Sequence, residues 1–135
     1  MVVITGRYTG DLRCEAVHGP SGSKLVTDAP ADNMGRGEMF SPTDLVATAL
    51  GTCIITTMAI FATRRGIDFS SATFSVEKHM AADPVRRIGR LPVTIRMSAA
   101  ISEENRTLLE RAAHTCPVHK SLHAQVEAPI SFVYE

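Results

Sequence analysis

Two cysteines stand in sequence surroundings that could support thiol chemistry. Cys53 lies at the middle of LVATALGTCIITTMAIFA, residues 45–62, which is apolar on nearly every face of a helix. Cys116 lies in HTCPVHK and precedes a proline that suits the first position of a helix. A thiolate is the reactive form of cysteine, and a helix N-terminus favours it whereas apolar surroundings alone disfavour it. Cys53 therefore needs a nearby cation to react, and Arg13 and Arg36 are the candidates.

The remaining cysteine and the nearby histidines permit simpler interpretations. We expect Cys14 to pack within a strand rather than act as a third redox thiol. Three cysteines at wide spacing argue against a disulfide scaffold and are typical of a cytoplasmic protein with free or redox-active thiols. A zinc site of His114, Cys116, His119 and Cys53 is an alternative, but no CxxC or HxxxH pair supports it. We expect no metal and no bound cofactor.

Composition excludes several classes of partner. The 135 residues carry no net charge and no tryptophan, so neither bulk charge nor a stacking platform indicates nucleic acid. Residues 45–62 approach the length of a membrane span, but threonines interrupt them and charges flank them closely. We expect no membrane partner, no targeting segment, a cytoplasmic location and one domain over residues 1–135.

The elements around the cysteines predict an α+β fold in the order βββ-α-ββ-α-α-β. Ser41 as N-cap, Pro42 at the first position and Asp44 three residues after Ser41 predict the start of a long helix, which Gly66 ends. Patterns of alternation and amphipathic spacing predict the other elements. We expect strands within 2–9, 12–19, 24–30, 71–80, 91–99 and 125–135, and helices within 101–115 and 116–122.

The long central helix predicts self-association. A helix that is apolar all round must be buried all round, and a domain of this size covers one side with its own sheet. A homodimer that packs these helices against each other is the simplest cover for the other side. A monomer whose strands wrap both sides is the alternative.

The paired motifs FSPTDLVATALGTC and AAHTCPVHKSL, with a final strand, resemble the OsmC/Ohr family of bacterial thiol peroxidases. The pattern SP-x-[ED]-L-x-x-x-A-x-G-x-C with a later CPV-x-K-x-L is specific as a pair. The resemblance covers essentially the whole chain and is closer to the OsmC-like branch than to the Ohr branch. It implies antiparallel sheets around a buried central helix, in an intertwined homodimer.

The resemblance also implies a mechanism. The cysteine at the position of Cys53 attacks an organic hydroperoxide and becomes a sulfenic acid, and the one at Cys116 condenses with it to a disulfide. An external dithiol, possibly of lipoyl type, then reduces the pair. The apolar surroundings favour alkyl or lipid hydroperoxides over hydrogen peroxide.

The family uses an arginine from the first hairpin and a glutamate directly after the helix-opening proline. Arg13 matches the arginine by position, but Thr43 stands where the glutamate is expected. Asp44 is expected to be the acid of the capping box. It precedes Cys53 by nine residues, which places the two side chains on opposite faces of the helix. Glu38 in the preceding loop is the freer candidate. The missing glutamate keeps a second interpretation open, namely a non-enzymatic redox-responsive or hydrophobic-ligand-binding module of the same fold.

Overall fold

The computed structural model describes all residues from 1 to 135 and confirms the α+β class. The chain divides into two units, residues 1–46 and 47–135, and the division falls inside the first helix. A short 3-10 turn spans Ala31–Asn33. The elements are β1 Ile4–Gly10, β2 Arg13–His18, β3 Lys24–Asp28, α1 Pro42–Arg65, β4 Thr73–Val76, β5 His79–Ala81, β6 Arg87–Arg90, β7 Val93–Met97, α2 Glu103–Ala113, α3 Pro117–Ser121 and β8 Ile130–Tyr134.

The first unit is an antiparallel sheet of three strands in the order β1-β2-β3, as the sequence predicted. The register places Arg13 of β2 opposite Asp28 of β3. Its three buried residues, Thr27, Asp28 and Ser41, are all polar, and most of the large apolar side chains exposed in the chain belong to this unit. The first unit therefore has no apolar core of its own.

Helix α1 begins and ends as its sequence predicts. The Asp44 amide donates to Ser41 Oγ at 3.1 Å, and the Ser41 amide donates to Asp44 Oδ2 at 2.9 Å, which is a reciprocal capping box. At the other end Gly66 has a φ of 66°, and the Ile67 amide donates to the Ala62 carbonyl at 2.9 Å. Glycine adopts that left-handed conformation without strain, so it ends the helix there.

Only one stripe of α1 is buried within the chain. The stripe comprises Ala47, Leu50, Gly51, Ile54, Met58 and Ala62. The single chain covers one side of the helix, as expected, and leaves Thr52, Thr56, Ile60 and Thr63 exposed. The helix is long and apolar enough to cross a membrane by length and composition, a test that the core helix of a soluble protein also passes.

The second unit holds the apolar core. Strands β4, β7 and β8 form one sheet in the order β4-β7-β8, and β5 and β6 form a separate hairpin. The core consists of buried apolar side chains from α1, from β7 and the loop before it, and from α2. They include Leu50, Ile54, Met58, Leu91, Val93, Ile95 and Leu109.

Two expectations about the second unit are corrected. Four strands replace the predicted two between α1 and α2, because the chain leaves the sheet after Val76 and pairs again as the β5–β6 hairpin. Strands β7 and β8 run parallel, whereas antiparallel sheets were expected. The two helices α2 and α3 lie between them in the chain and provide the long crossover that parallel strands need.

Gly51 permits the close approach of α1 to β4. A Cβ atom at this position would overlap the Phe74 ring and lie 2.9 Å from Val76 Cγ2. Because two side chains from one strand meet the helix there, a larger residue would push the helix and the strand apart.

We expect Gly51→Ala to lower the free energy of unfolding by about 1–2 kcal/mol, because overpacking outweighs the gain of up to about 1 kcal/mol in helix propensity. Urea unfolding measures the change. Ala49→Gly, at an exposed position of the same helix, calibrates the propensity contribution. A stability equal to or above that of the wild type would contradict close packing at Gly51.

Candidate functional site

The second unit brings Cys53 and Cys116 together. Cys53 is half-buried on α1, and Cys116 is fully buried at the N-terminus of α3. The Cys53 thiol lies close enough to Cys116 to raise the pKa of the Cys116 thiol. All three cysteines are free thiols in this structure. Two neighbouring free thiols, one of them partly open to solvent, are candidates for forming a disulfide.

Cys116 is held by its own helix. It is the N-cap of α3, and the His119 amide donates to its Sγ at 3.4 Å. The His119 ring is anchored in turn, since Nε2 donates to the Ala128 carbonyl at 3.1 Å, and the His114 ring meets it edge-on. These contacts fix the first turn of α3 and therefore the position of the thiol.

The pKa of the Cys116 thiol is raised above its ordinary value. Burial is the largest cause, because it disfavours the charged form, and the neighbouring Cys53 thiol acts in the same direction. The His119 amide opposes both by stabilising the thiolate. Cys116 is therefore protonated at neutral pH.

This shift predicts a pH dependence. In a variant with Cys14→Ser and Cys53→Ser, we expect the ultraviolet absorbance of the Cys116 thiolate to appear with a midpoint above 9.0. The free energy of unfolding should fall as the pH rises above 9.0. In that pH range the thiol of the unfolded chain loses its proton while the thiol of the folded protein keeps it. A midpoint at or below 9.0 would contradict a buried, protonated Cys116.

The first unit brings Arg13 together with Glu38, the acid that the sequence favoured. The Arg13 guanidinium hydrogen-bonds to the Glu38 carboxylate and lies 3.5 Å from Asp28 Oδ2. The hydrogen bond to Glu38 and the charge of Asp28 both raise the pKa of Arg13, which is charged at any working pH. Arg36, the other candidate cation, is exposed.

Asp28 is the residue of this cluster that the sequence analysis missed. Its side chain is fully buried, its Oδ2 accepts the Glu38 amide at 3.1 Å, and its Oδ1 has no partner. It thus holds both the Arg13 side chain and the backbone of Glu38. Asp28 could have been found only from the strand register, which places it opposite Arg13. The alternation of apolar and polar residues in the sequence does not determine that register.

We expect Asp28→Ala to lower the free energy of unfolding by about 1–3 kcal/mol, because the Glu38 amide loses its acceptor. Asp28→Asn keeps an oxygen for that amide and should cost less. Urea unfolding of the two variants beside the wild type measures the difference. If alanine and asparagine were both as stable as aspartate, Asp28 would not organise this cluster.

The residues at the helix opening take part in the cap. Asp44 closes the capping box with Ser41, as predicted, and Thr43 Oγ1 lies 3.1 Å from Ser41 Oγ. Asp44 is therefore engaged at the helix terminus. Glu38, with its side chain 55% exposed, is the carboxylate that pairs with Arg13.

Two other expectations concern cysteine and metal chemistry. Cys14 is exposed, so the expectation that it packs within its strand is wrong for the single chain, because no apolar core of the first unit covers it. The side chains of His, Cys, Asp and Glu form no group of three or more that could hold a metal ion.

Comparisons with known proteins match the whole of this architecture. The family model "OsmC-like protein" matches residues 35–131. A proposed osmotic stress induced and detoxification response protein from Psychrobacter arcticus is 39% identical with a TM-score of 0.91, covering 98% of this chain and 96% of its own. No curated protein sequence matches the chain.

More distant structures share the fold alone. An organic hydroperoxide resistance protein OsmC from Legionella pneumophila is 15% identical with a TM-score of 0.80, over 98% of this chain and 96% of its own. The organic hydroperoxide resistance protein OhrB of Bacillus subtilis is 17% identical with a TM-score of 0.69, over 98% and 97%. The family match over most of the chain shows that this protein belongs to the OsmC-like family.

Proposed function

We propose that this protein is a thiol peroxidase that reduces organic hydroperoxides to alcohols. The observation that carries the proposal is the proximity of the Cys53 and Cys116 thiols in the second unit, where Cys53 lies close enough to raise the pKa of the Cys116 thiol. Cysteines whose side chains already lie near each other can form and release a disulfide with little movement of the backbone. The names of the Legionella and Bacillus structures agree with this chemistry.

The proposed cycle balances in three steps. The Cys53 thiolate attacks one oxygen of the hydroperoxide, the O–O bond breaks, and the alkoxide takes a proton to leave as an alcohol while Cys53 becomes a sulfenic acid. Cys116 then attacks the Cys53 sulfur, which forms the disulfide and releases water. A dithiol, possibly of lipoyl type, supplies two electrons and two protons to restore both thiols.

The difference in exposure between the two cysteines supports the proposed division into an attacking and a resolving thiol. Cys53 is half-buried and therefore open to a substrate. Cys116 is fully buried and its pKa is raised. Cys53 is accordingly the attacking thiol and Cys116 the resolving one. The apolar neighbours of Cys53 on α1 favour an alkyl or lipid hydroperoxide over hydrogen peroxide.

Arg13 and Glu38 are proposed as the activating pair. A thiolate nucleophile requires a positive charge near it, and the guanidinium of Arg13 is oriented by Glu38 and by the buried Asp28. Glu38 would supply the carboxylate that the family places at the position of Thr43. This assignment removes the need for an acid within the motif.

A homodimer is part of the proposal. The first unit buries only polar residues of its own and exposes large apolar side chains such as Val3, Ile4, Leu25 and Phe40. Exposed apolar area of this kind marks surfaces that another chain covers. The proposal places the protein in the cytoplasm, where thiols stay reduced, with no nucleic acid or membrane as partner.

The experiment is turnover of cumene hydroperoxide with dihydrolipoamide as reductant. We expect purified protein to consume peroxide in large molar excess over itself, and to consume hydrogen peroxide more slowly. Protein alkylated beforehand by iodoacetamide is the control. No consumption, with Cys53 still a free thiol after exposure to peroxide, would overturn the proposal.

The second candidate is a non-enzymatic module of the same fold, and Thr43 at the glutamate position favours it. In that case one equivalent of peroxide would oxidise the pair to a disulfide, but added dithiol would sustain no turnover. The same experiment separates the two candidates, because only an enzyme consumes more peroxide than it contains thiol pairs.

A further inference from the structure

Helix α3, which carries Cys116 at its N-terminus, is too short to hold its own position. It comprises five residues, Pro117–Ser121, and so short a helix is marginal in water because its nucleation is unfavourable. Within α3, Ser121 Oγ donates to the Pro117 carbonyl at 2.8 Å. Such a bond maintains the turn but does not determine where the turn lies in the second unit. The place of α3, and of Cys116 with it, therefore depends on contacts with other segments.

The His119 ring joins α3 to the segment that leads into β8. Its Nε2 donates to the Ala128 carbonyl at 3.1 Å, across nine positions of the chain. A carbonyl oxygen only accepts, so Nε2 carries the proton and the tautomer of the ring is set. On the N-terminal side of α3, the Cys116 amide donates to the Ala113 carbonyl of α2 at 3.4 Å. Helix α3 is therefore tied to α2 by its backbone and to the approach of β8 by the His119 ring.

The backbone of the same residue contacts the Cys116 thiol. The His119 amide donates to Cys116 Sγ at 3.4 Å, while the His119 ring is bound to Ala128. A shift of the ring would therefore move the amide that lies beside the sulfur. Cys116 is fully buried, and a packed interior transmits such a shift instead of absorbing it. The distance between the Cys116 and Cys53 thiols accordingly depends on how the His119 ring is held.

We infer that His119 is a positioning residue for disulfide formation, because the hydrogen bond from its ring to Ala128 holds Cys116 within reach of Cys53. As far as it concerns catalysis, this role rests on the proposed function, in which Cys116 resolves the Cys53 sulfenic acid. His119 acts through Cys116 and contacts neither the peroxide nor the oxidised sulfur. A misplacement of about 1 Å can cost about 100-fold in rate, so a single hydrogen bond at this place has a large effect on the reaction.

Disulfide formation can be measured without any peroxide. In the full-length protein with Cys14→Ser, glutathione disulfide takes two electrons from the thiol pair, which becomes the Cys53–Cys116 disulfide as two molecules of reduced glutathione are released. The equilibrium gives the effective concentration of one thiol at the other. We expect His119→Phe, which keeps an aromatic ring but has no donor, to lower this concentration about 10-fold. A loss of stability common to the reduced and the oxidised protein would leave the equilibrium unchanged.

Two further variants separate the hydrogen bond from the shape of the ring. His119→Gln retains an amide N–H at about the distance of Nε2 from the backbone, and should keep the effective concentration within about 2-fold of the wild type. His119→Asn has the same amide closer to the backbone, where it does not reach Ala128, and should behave as His119→Phe does. The inference would be overturned if His119→Phe matched the wild type, or if glutamine lowered the effective concentration as much as phenylalanine.

His123→Phe is the matched control. His123 is exposed and lies in the same stretch between α3 and β8, and its Nδ1 accepts the Gln125 amide at 3.1 Å. Its substitution also removes a hydrogen bond between a histidine ring and the backbone, but this bond lies outside α3. We expect the effective concentration to stay within about 2-fold of the wild type. A loss equal to that in His119→Phe would show a general effect on this stretch and overturn the inference.

A rapid-mixing measurement separates the role of His119 from the proposed function. After one equivalent of cumene hydroperoxide, mass spectrometry of acid-quenched samples follows the Cys53 sulfenic acid and the disulfide over time. We expect His119→Phe to form the sulfenic acid at the wild-type rate and to convert it to the disulfide about 10-fold more slowly. If the wild type did not react with peroxide but His119→Phe still lowered the effective concentration, the peroxidase alone would be refuted. Conversion at the wild-type rate in His119→Phe would refute the positioning role in catalysis.

Discussion

Cys53→Ser is expected to reduce hydroperoxide consumption to the uncatalysed background, a loss on the order of 10⁴-fold or more. A serine hydroxyl does not ionise near neutral pH and forms no sulfenic acid, so the first step of the cycle has no nucleophile. The fold should persist, because Cys53 is only half-buried and serine is of similar size. Peroxide consumption with cumene hydroperoxide and dihydrolipoamide measures the loss.

Cys14→Ser is the matched control for this experiment. Cys14 is the third cysteine, is exposed, and lies in the first unit on β2, whereas the thiol pair lies in the second. Its substitution should leave turnover within about 2-fold of the wild type, as for a surface change away from the chemistry. Full activity in Cys53→Ser, or equal losses in both variants, would refute Cys53 as the nucleophile.

Cys116→Ser is expected to leave one rapid turnover and then to stall. Without a resolving thiol, the Cys53 sulfenic acid has no partner in contact and persists until an external thiol reaches it. Serine retains an acceptor for the His119 amide at the N-terminus of α3, so the local structure should survive the substitution. Rapid mixing with peroxide should show a burst of one equivalent per chain.

The trapped state can be identified chemically. Dimedone, which reacts with sulfenic acids, should label Cys53 in Cys116→Ser after exposure to peroxide and should not label the wild type, where the disulfide has formed. Cys116→Ala, which also removes the cap, separates the loss of the thiol from any change in α3. Sustained turnover at the wild-type rate in both variants would show that Cys116 does not resolve the sulfenic acid.

The helices could be predicted because their signals are local. Ser41 and Asp44 form the capping box that their spacing predicted, Gly66 ends α1 in the left-handed conformation, and Ser102 accepts the Asn105 amide at the start of α2. Each of these interactions joins residues three to five positions apart. The sequence alone therefore determined where the long helix carrying Cys53 begins and ends.

The pairing of the strands was harder to predict from the sequence. The alternation after Thr73 did not reveal that the chain leaves the sheet at Val76 and forms a separate β5–β6 hairpin, because period-two patterns continue across such a break. Nor did it give the parallel pairing of β7 with β8. Direction and partner of a strand depend on contacts between residues that are distant in the chain.

The same distinction applies to the candidate site. Residue types and the paired motifs singled out Cys53, Cys116, Arg13 and Glu38, but each of them reads equally well as packing or a surface charge until its neighbours are known. Tertiary structure alone decided that the two thiols are neighbours, that Glu38 pairs with Arg13, and that a buried Asp28 supports both. The physical reason is that a helix cap is set by neighbouring residues, whereas these contacts form only when distant segments pack together.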